Sequence, residues 1–478
     1  MDKRNIENIY PLTPLQQGIL FHHIHDGGSN AYTELLSLKI AVDVDISAMK
    51  QGWDFVVQEN EVLRTIFKWK KLDKPLQIVL KQKAIEFEIC DISQMEDNDK
   101  IHELEKIKGE EVKKGFDLEK NGFRVLACKI SENQWEMMII NHHIILDGWS
   151  TTNIIGEFIQ AYNGIKSGKT LGHKSKIKYV EYIKKINSIN KEEAGGFWSK
   201  CFEGYEIPLV DNRKHYHAEK RTEKFHLSKK MSEDFANYSK ENNATFANIA
   251  NTAFGYILSR YEDNNNYLVG TVVSGRNIEL DGLSEVAGLF INTLPLVIEF
   301  NKGDRMLDGI QRVKKHMIER AQYEHTSLME LKEIIGIKEY NELFDTLIVV
   351  ENYPFDANVK DSEYLKITDI DVLEETNYNL TITFVMGETI EVSLAYNTDI
   401  YNENEIKRMF GHFETLVGCI LNDEDVLVEN AKILTEIELD NLFSQENEAI
   451  ILNEHNQLQP MGIFGIFDTT DLSGNQNK

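Results

Sequence analysis

The chain has 478 residues, with 52 basic against 78 acidic side chains and a formal net charge of −26. Nucleic acids and anionic membrane surfaces are themselves negatively charged, so this balance argues against both as partners. A hydrophobic content of 42% with only 7 prolines is typical of a soluble globular protein, and the length exceeds one ordinary core, which predicts two lobes.

The four cysteines predict free thiols. Cys90, Cys128, Cys201 and Cys419 lie far apart and show neither a CxxC pair nor zinc-like spacing. The N-terminus lacks the apolar core of a signal peptide, and no run approaches the ~18 apolar residues of a membrane span. Together these features predict a cytoplasmic protein.

The first part of the chain predicts alternating helices and strands. Thr13 and Pro14 are typical of an N-cap and the first residue of a helix. A strand is predicted at residues 35–44, and helices are predicted at 46–59 and 100–114.

Two adjacent histidines stand where a buried strand ends. His142 and His143 follow the apolar run 135–140, which a polar turn pairs with a strand at about 125–130, and a helix is predicted at 151–164. Neighbouring side chains of an extended backbone point to opposite faces, so the two rings cannot both face one cavity. We expect one reactive histidine and one packing or anchoring histidine.

The histidines belong to a longer pattern, HHxxxDG, which arises by chance roughly once in a thousand chains of this length. Asp147 can orient a ring or anchor the loop by ionic pairing, and Gly148 permits a φ that other residues resist. A bare pair of histidines is more often a hydrogen-bonded structural pair. A metal site is not predicted, because adjacent strand residues diverge.

The second part of the chain predicts a further lobe packed on the first. No flexible Gly/Ser linker separates the two parts. Helices are predicted at about 232–241 and 245–261, and a strand at 267–273 leads to Arg276. A docking site for an acidic partner would need a local basic patch. The candidate lysines are Lys174, Lys176, Lys178, Lys184 and Lys185.

Several segments, in order along the chain, resemble the signature motifs of condensation domains of nonribosomal peptide synthetases. The HHxxxDG stretch resembles the active-site motif of this family, and the resemblance runs from about Asn8 to Leu434. Position 60, where the family commonly carries histidine, is Asn60, and it is assigned no role. The segments are residues 10–22, 61–67, 115–118, 142–148, 274–276, 288–295, 323–328 and 344–354.

The resemblance implies an α/β (α+β) fold of two chloramphenicol-acetyltransferase-like lobes in a V-shaped pseudo-dimer with a central substrate tunnel. We expect the N-terminal lobe at 1–170, the C-terminal lobe at 171–435 and a tail at 436–478. The tail is either the remnant of an adenylation domain or a disordered segment.

The implied reaction is amide bond formation between a donor acyl or peptidyl thioester and the amine of an acceptor aminoacyl thioester. Both substrates would be carried on the phosphopantetheine arms of partner carrier proteins, and the domain itself would bind no cofactor. A neighbouring adenylation domain is a further candidate partner. The sequence of residues 10–18 resembles the corresponding motif of the condensation-domain subtype that accepts a D-configured donor.

The resemblance also implies roles for the motif residues. His143 would contact the attacking amine, as a general base or as a positioning group. His142 would support it, and Asp147 would form a structural ion pair with Arg276. Gly148 would let the chain pass close to the substrate, and its backbone N–H is a candidate oxyanion donor.

Two other functions compete with this interpretation. A non-catalytic condensation-like platform could bind carrier proteins or a tailoring enzyme, but the intact HHxxxDG pattern argues against it. An acyltransferase of the plant HxxxD type, which uses soluble coenzyme A thioesters, is disfavoured because the chain has no Asp-Phe-Gly-Trp-Gly segment.

Overall fold

The computed structural model describes residues 2–25, 32–173, 175–205, 207, 219–337, 342–351, 362–373, 376–444, 451–452 and 466–467. Lys174 and most of the predicted tail at 436–478 lie outside this part of the chain. Its α-helices are α1 (Pro14–His25), α2 (Ile46–Glu59), α3 (Asp97–Lys114), α4 (Gly148–Lys166), α5 (Tyr179–Ile186), α6 (Lys191–Cys201), α7 (Lys229–Glu241), α8 (Phe246–Tyr261), α9 (Met306–Arg320), α10 (Leu328–Ile335), α11 (Glu403–Asn422) and α12 (Glu436–Ser444).

Its strands form two large sheets and two small ones. They are β1 (Ile6–Pro11), β2 (Thr33–Ile40), β3 (Thr65–Lys68), β4 (Leu76–Leu80), β5 (Glu86–Asp91), β6 (Phe123–Ser131), β7 (Gln134–His142), β8 (Lys220–His226), β9 (Asn266–Val273), β10 (Asn292–Glu299), β11 (Thr346–Glu351), β12 (Ile367–Leu373), β13 (Leu380–Val385), β14 (Glu391–Asn397), β15 (Ile451–Leu452) and β16 (Ile466–Phe467).

A five-stranded sheet in the order β12-β2-β7-β6-β5 forms the centre of the N-terminal half. Strand β7 is buried along all but its first residue, because β2 and β6 flank it and helices cover both faces of the sheet. The register pairs His142 with Thr33 of β2 and Asn141 with Phe123 of β6. The end of β7 is therefore held from both sides.

Helices α2 and α4 cover one face of this sheet. The Trp53 ring of α2 stacks on Phe158 of α4, with ring centroids 4.4 Å apart, and both side chains are fully buried. Aromatic pairs of this kind bury a large apolar area and fix the two helices against each other. Because α4 begins at Gly148, the last residue of the HHxxxDG motif, this packing also fixes the turn.

A six-stranded sheet in the order β10-β9-β11-β13-β14-β8 forms the centre of the C-terminal half. Helix α8 is buried over nearly its whole length between this sheet and neighbouring helices. Its Phe254 stacks on Phe413 of α11, with centroids 4.5 Å apart. Each half thus has its own hydrophobic core.

Strand β12 joins the two halves. It follows β11 of the six-stranded sheet in the chain, yet it pairs with β2 at the edge of the five-stranded sheet, with Ile370 opposite Leu38.

The first nine residues of the predicted tail form α12, where Glu438 accepts a hydrogen bond from buried His412 at 2.9 Å. Within the described residues, no helix is long and apolar enough to cross a membrane.

A buried ion pair lies beneath β7. Glu136 is completely buried, and its carboxylate accepts hydrogen bonds from Ser37 Oγ and from Lys108 Nζ of α3, the latter at 2.8 Å. Burial opposes the charged form of Lys108, but the hydrogen bond and charge of Glu136 outweigh it, so the pKa of Lys108 is raised. Lys108 therefore stays protonated, and its contact with Glu136 clamps α3 to the strand that carries the histidines.

We expect Lys108→Met to lower the free energy of unfolding by about 3–5 kcal/mol, because it leaves the Glu136 carboxylate buried without its cation. Urea denaturation followed by circular dichroism measures the loss. The control is Lys106→Met, which removes a surface pair with Glu103 and should leave the midpoint unchanged. The double variant Lys108→Met/Glu136→Leu should recover most of the stability, and no recovery would contradict the stranded-charge explanation.

Candidate active site

The two motif histidines occupy different surroundings at the end of β7. The backbone N–H of His142 donates to the carbonyl of Gly122 at 2.9 Å, and that of His143 donates to the carbonyl of Tyr32 at 2.8 Å. These bonds extend the strand pairing to both residues. His142 is 1% exposed and His143 is 7% exposed.

The His142 ring is part of the packing beneath the turn. The Ile144 backbone N–H donates to its Nδ1 at 3.1 Å. Its ring contacts those of His23, Tyr32 and Phe116. Burial holds the pKa of His142 well below its ordinary value, and the neighbouring imidazoles of His23 and His143 lower it further, so the ring is neutral.

The His143 ring is oriented by the turn itself. Its Nδ1 lies 3.3 Å from the carbonyl oxygen of Leu146. A carbonyl oxygen only accepts, so this contact requires the proton on Nδ1 and makes Nε2 the basic nitrogen of the neutral ring.

Asp147 is the N-cap of α4 and a link to the C-terminal half. It is completely buried, and its Oδ1 accepts from the Ser150 backbone N–H at 2.8 Å. Its Oδ2 accepts from the Phe290 backbone N–H at 2.9 Å, and its own N–H donates to the Gly288 carbonyl at 3.2 Å. One side chain therefore starts the helix and attaches it to a segment about 140 residues further along the chain.

Arg276 approaches the same carboxylate. Its Nη2 lies 3.4 Å from Asp147 Oδ1 and donates to Ser150 Oγ at 2.8 Å, while Nη1 donates to the Leu283 carbonyl at 2.8 Å. The guanidinium carbon lies 3.9 Å from the centroid of the Phe290 ring. The structure thus brings Asp147 and Arg276 together across the two halves.

Two glycines make this contact sterically possible. Gly275 has φ +61°, and a Cβ there would lie 1.8 Å from the Phe290 carbonyl oxygen. A Cβ on Gly288 would lie 2.5 Å from the Tyr179 ring. Neither position accepts a larger residue without moving the segment that holds Asp147.

The predicted role of the Gly148 φ is wrong. Gly148 is the first residue of α4 and has no positive φ, because the Asp147 cap starts the helix there, three residues before the predicted start at 151. As the first helical residue, it presents a backbone N–H that has no intrahelical acceptor.

Sequence reasoning missed Ser150 and Gln16. Ser150 Oγ donates to the Gly288 carbonyl at 2.8 Å and accepts from the Gly288 N–H at 3.0 Å. Gln16 of α1 is completely buried, and its Nε2 donates to the Ile144 carbonyl at 3.0 Å. The Asp-x-x-Ser spacing signals that Asp147 caps a helix through the Ser150 N–H, but no local pattern signals the long-range partners of Ser150 and Gln16.

Asn60 has a structural role. Its Nδ2 donates to Glu157 Oε2 at 2.7 Å, and its Oδ1 accepts from Lys176 Nζ at 2.8 Å. A cavity of about 230 Å³ beside this cluster is lined by residues of α2, α4 and the segment 169–176, and no motif residue lines it. Lys176 also pairs with Glu157, and Lys178 pairs with Glu7. Two of the five candidate lysines of the basic patch are therefore paired with neighbouring carboxylates.

The described residues contain no group of three or more histidine, cysteine, aspartate or glutamate side chains that could hold a metal ion.

A family model described as a condensation domain matches residues 6–443. The chain belongs to the condensation domain family.

Curated relatives of this condensation domain are much longer. It is 28% identical to tyrocidine synthase 2 of Brevibacillus parabrevis over 456 residues. The aligned region covers 93% of this chain and 13% of that protein. It is 29% identical to bacitracin synthase 3 of Bacillus licheniformis over 452 residues. The aligned region covers 92% of this chain and 7% of that protein. The chain thus spans a small part of the relatives that it matches.

Solved structures match the fold at low sequence identity. The starter condensation domain of rhizomide synthetase in complex with C8-CoA gives a TM-score of 0.77 at 16% identity and covers 89% of this chain and 98% of that chain. The first condensation domain of the calcium-dependent antibiotic synthetase, with a substrate analogue, gives 0.74 at 15% identity and covers 90% and 100%. The X-domain from teicoplanin biosynthesis gives 0.75 at 15% identity and covers 89% and 97%. The predicted α/β fold of this family is confirmed.

We expect Asp147→Asn to lower the free energy of unfolding by about 3–5 kcal/mol, because the amide keeps a capping oxygen but leaves the Arg276 guanidinium without its carboxylate. Urea denaturation measures the loss, and product formation is followed in parallel. The matched control is Asp45→Asn, at the exposed N-cap of α2, where we expect less than about 1 kcal/mol. Equal losses at the two caps would contradict the anchoring role. So would unchanged stability of Asp147→Asn with activity lost.

Proposed function

We propose that the chain forms an amide bond between a donor acyl or peptidyl thioester and the amine of an acceptor aminoacyl thioester, in nonribosomal peptide synthesis. The observation that carries this proposal is the geometry of the HHxxxDG turn in a member of the condensation domain family. The turn presents His143 beside the N-terminus of α4 and is held by contacts from both halves of the chain.

The chemistry demands little beyond alignment and proton removal. The amine attacks the thioester carbonyl, a C–N bond forms and the C–S bond breaks. The leaving group is a thiolate whose conjugate thiol has a pKa near 8.5. Holding the two reactants in a channel that excludes water makes this step effectively unimolecular. We propose a tunnel between the lobes as that channel, with phosphopantetheine arms of two carrier proteins entering from opposite sides.

His143 is the proposed group that contacts the attacking amine. With Nδ1–H directed to the Leu146 carbonyl, Nε2 is the nitrogen that accepts a proton or a hydrogen bond from the amine. Support for this assignment comes from the rigid placement of the residue, since its backbone N–H is bonded to Tyr32 and its ring to the turn.

The N-terminus of α4 supplies a candidate oxyanion site. The Gly148 N–H is one of the first donors of a 19-residue helix, where the backbone dipoles favour negative charge. Asp147 and Arg276 then act as positioning residues, since their pairing sets the direction of these donors. His142 is the proposed supporting residue below the turn.

The domain would bind no cofactor itself, would act in the cytoplasm, would accept a D-configured donor, and would have an adenylation domain as neighbour. Residues 1–170 and 171–435 are the proposed lobes.

We expect His143→Ala to reduce dipeptidyl product by at least about 10²-fold, because it removes the proposed base. Mass spectrometry of reactions with two loaded carrier proteins measures the product. The control is His173→Ala, an exposed histidine beside Glu59, which should leave the rate unchanged. Equal product from His143→Ala would remove His143 from the mechanism, and carrier binding without any product from the wild type would favour a non-catalytic platform.

Exposed apolar side chains mark a proposed docking surface for the acceptor carrier protein. Helices α1 and α10, one from each half, contact each other. Phe21 and Ile24 of α1 and Met329 of α10 are 42%, 44% and 40% exposed. Large exposed apolar residues on two contacting helices favour a protein interaction site.

We expect Phe21→Ser to raise the KM for the carrier-bound acceptor about tenfold, while a soluble thioester analogue of the same aminoacyl group is used unchanged, because only the carrier contacts this surface. The control is Ile101→Ser on α3, an equally apolar residue that is 68% exposed. A parallel loss with the soluble analogue would mean that Phe21 supports the fold or the channel and not docking.

A further inference from the structure

Two buried ring nitrogens near the candidate active site have no hydrogen-bond partner among the described residues. They are Nδ1 of His23, on α1, and Nε2 of His142, at the end of β7. Burying a polar atom without a partner is costly, so native structures rarely leave two such atoms in adjacent rings. The two rings lie 5.1 Å apart between centroids, with an angle of 80° between their planes.

The hydrogen bond at the other nitrogen of His142 fixes which atom is the donor. The Ile144 backbone N–H donates to His142 Nδ1, so Nδ1 carries no proton, and the neutral ring must carry its proton on Nε2. The unpartnered Nε2 is therefore a donor. Burial lowers the pKa of His23 against an opposing contribution from Asp117, so His23 is also neutral and its Nδ1 can accept.

The separation of the rings suits a direct hydrogen bond. A bond of about 3 Å between nitrogens of two imidazoles places their centroids roughly 5 Å apart. Rotation of the His23 ring about its Cβ–Cγ bond changes the direction of Nδ1 at low cost, because this torsion has broad minima. The aromatic rings of Trp69, Tyr32 and Phe116 surround the pair.

We propose that His23 is a positioning residue whose Nδ1 accepts the Nε2–H of His142 and so fixes the turn that presents His143. The effect passes through consecutive contacts: His142 Nδ1 accepts from Ile144, and the Leu146 carbonyl two residues later holds the His143 ring. Its effect on catalysis rests on the proposed function, whereas the hydrogen bond does not.

Nitrogen NMR of protein labelled with ¹⁵N-histidine tests the hydrogen bond without any turnover. In the wild type we expect His142 as the Nε2–H tautomer, with a slowly exchanging proton coupled to an unprotonated Nδ1 of His23. His142 as the Nδ1–H tautomer, or no coupling to His23, would overturn the proposal. Because this measurement needs no substrate, a chain that forms no dipeptide would reject the proposed function while the spectrum still decides the hydrogen bond.

Three variants test the consequence for catalysis. His23→Leu removes the acceptor, and we expect kcat to fall about tenfold with the KM of the acceptor unchanged, together with faster exchange of the His142 proton. His23→Asn places an oxygen near the Nδ1 position and should retain the rate within about threefold. His102→Leu, an exposed histidine of α3, should change neither quantity. A wild-type rate and spectrum in His23→Leu would reduce His23 to a packing residue, and should that variant not fold, the wild-type and His23→Asn spectra decide the question.

Discussion

The candidate active site depends on the hydrogen bonds and the ion pair that the Asp147 carboxylate makes. It is completely buried, starts α4 through the Ser150 N–H, accepts from the Phe290 N–H and faces the Arg276 guanidinium. A buried charge is tolerated only when its lone pairs are satisfied. Every partner must therefore stay in place, and these partners come from both halves of the chain.

This constraint explains why the site is rigid although it lies at a junction. Strands β2 and β6 hold the end of β7, and the stacked rings of Trp53 and Phe158 hold α4 behind the turn. On the other side, Gly275 and Gly288 allow the segment after β9 to approach within hydrogen-bonding distance. Strand β12 ties the halves together a second time, because a strand from the later part of the chain completes the earlier sheet. Reacting groups placed on such a scaffold keep their geometry without the substrate.

The charge distribution directs attention to apolar surfaces as sites of association. The chain has a net charge of −26, and three of the lysines that were candidates for a basic patch, Lys176, Lys178 and Lys184, are paired with carboxylates of the same chain. Lys108 is likewise paired with a carboxylate, that of Glu136, beneath β7. Exposed Phe21, Ile24 and Met329 are therefore the residues that we propose for contact with a carrier protein.

The sequence by itself determined which segments form helices and strands around the site, and which motif residues to consider. The strand before His142 and a helix close to Gly148 follow from patterns within a few residues, and the free cysteines follow from the wide spacing of the four residues. The pairing of Asp147 with Arg276 was named only through family resemblance. Only the tertiary structure decided that β12 completes the first sheet, that Gln16 holds the Ile144 carbonyl, that Ser150 and Gly288 exchange hydrogen bonds, and that His23 meets His142. The reason is that local periodicity specifies which face of an element is buried, whereas the identity of a partner more than a hundred residues away depends on how whole elements pack.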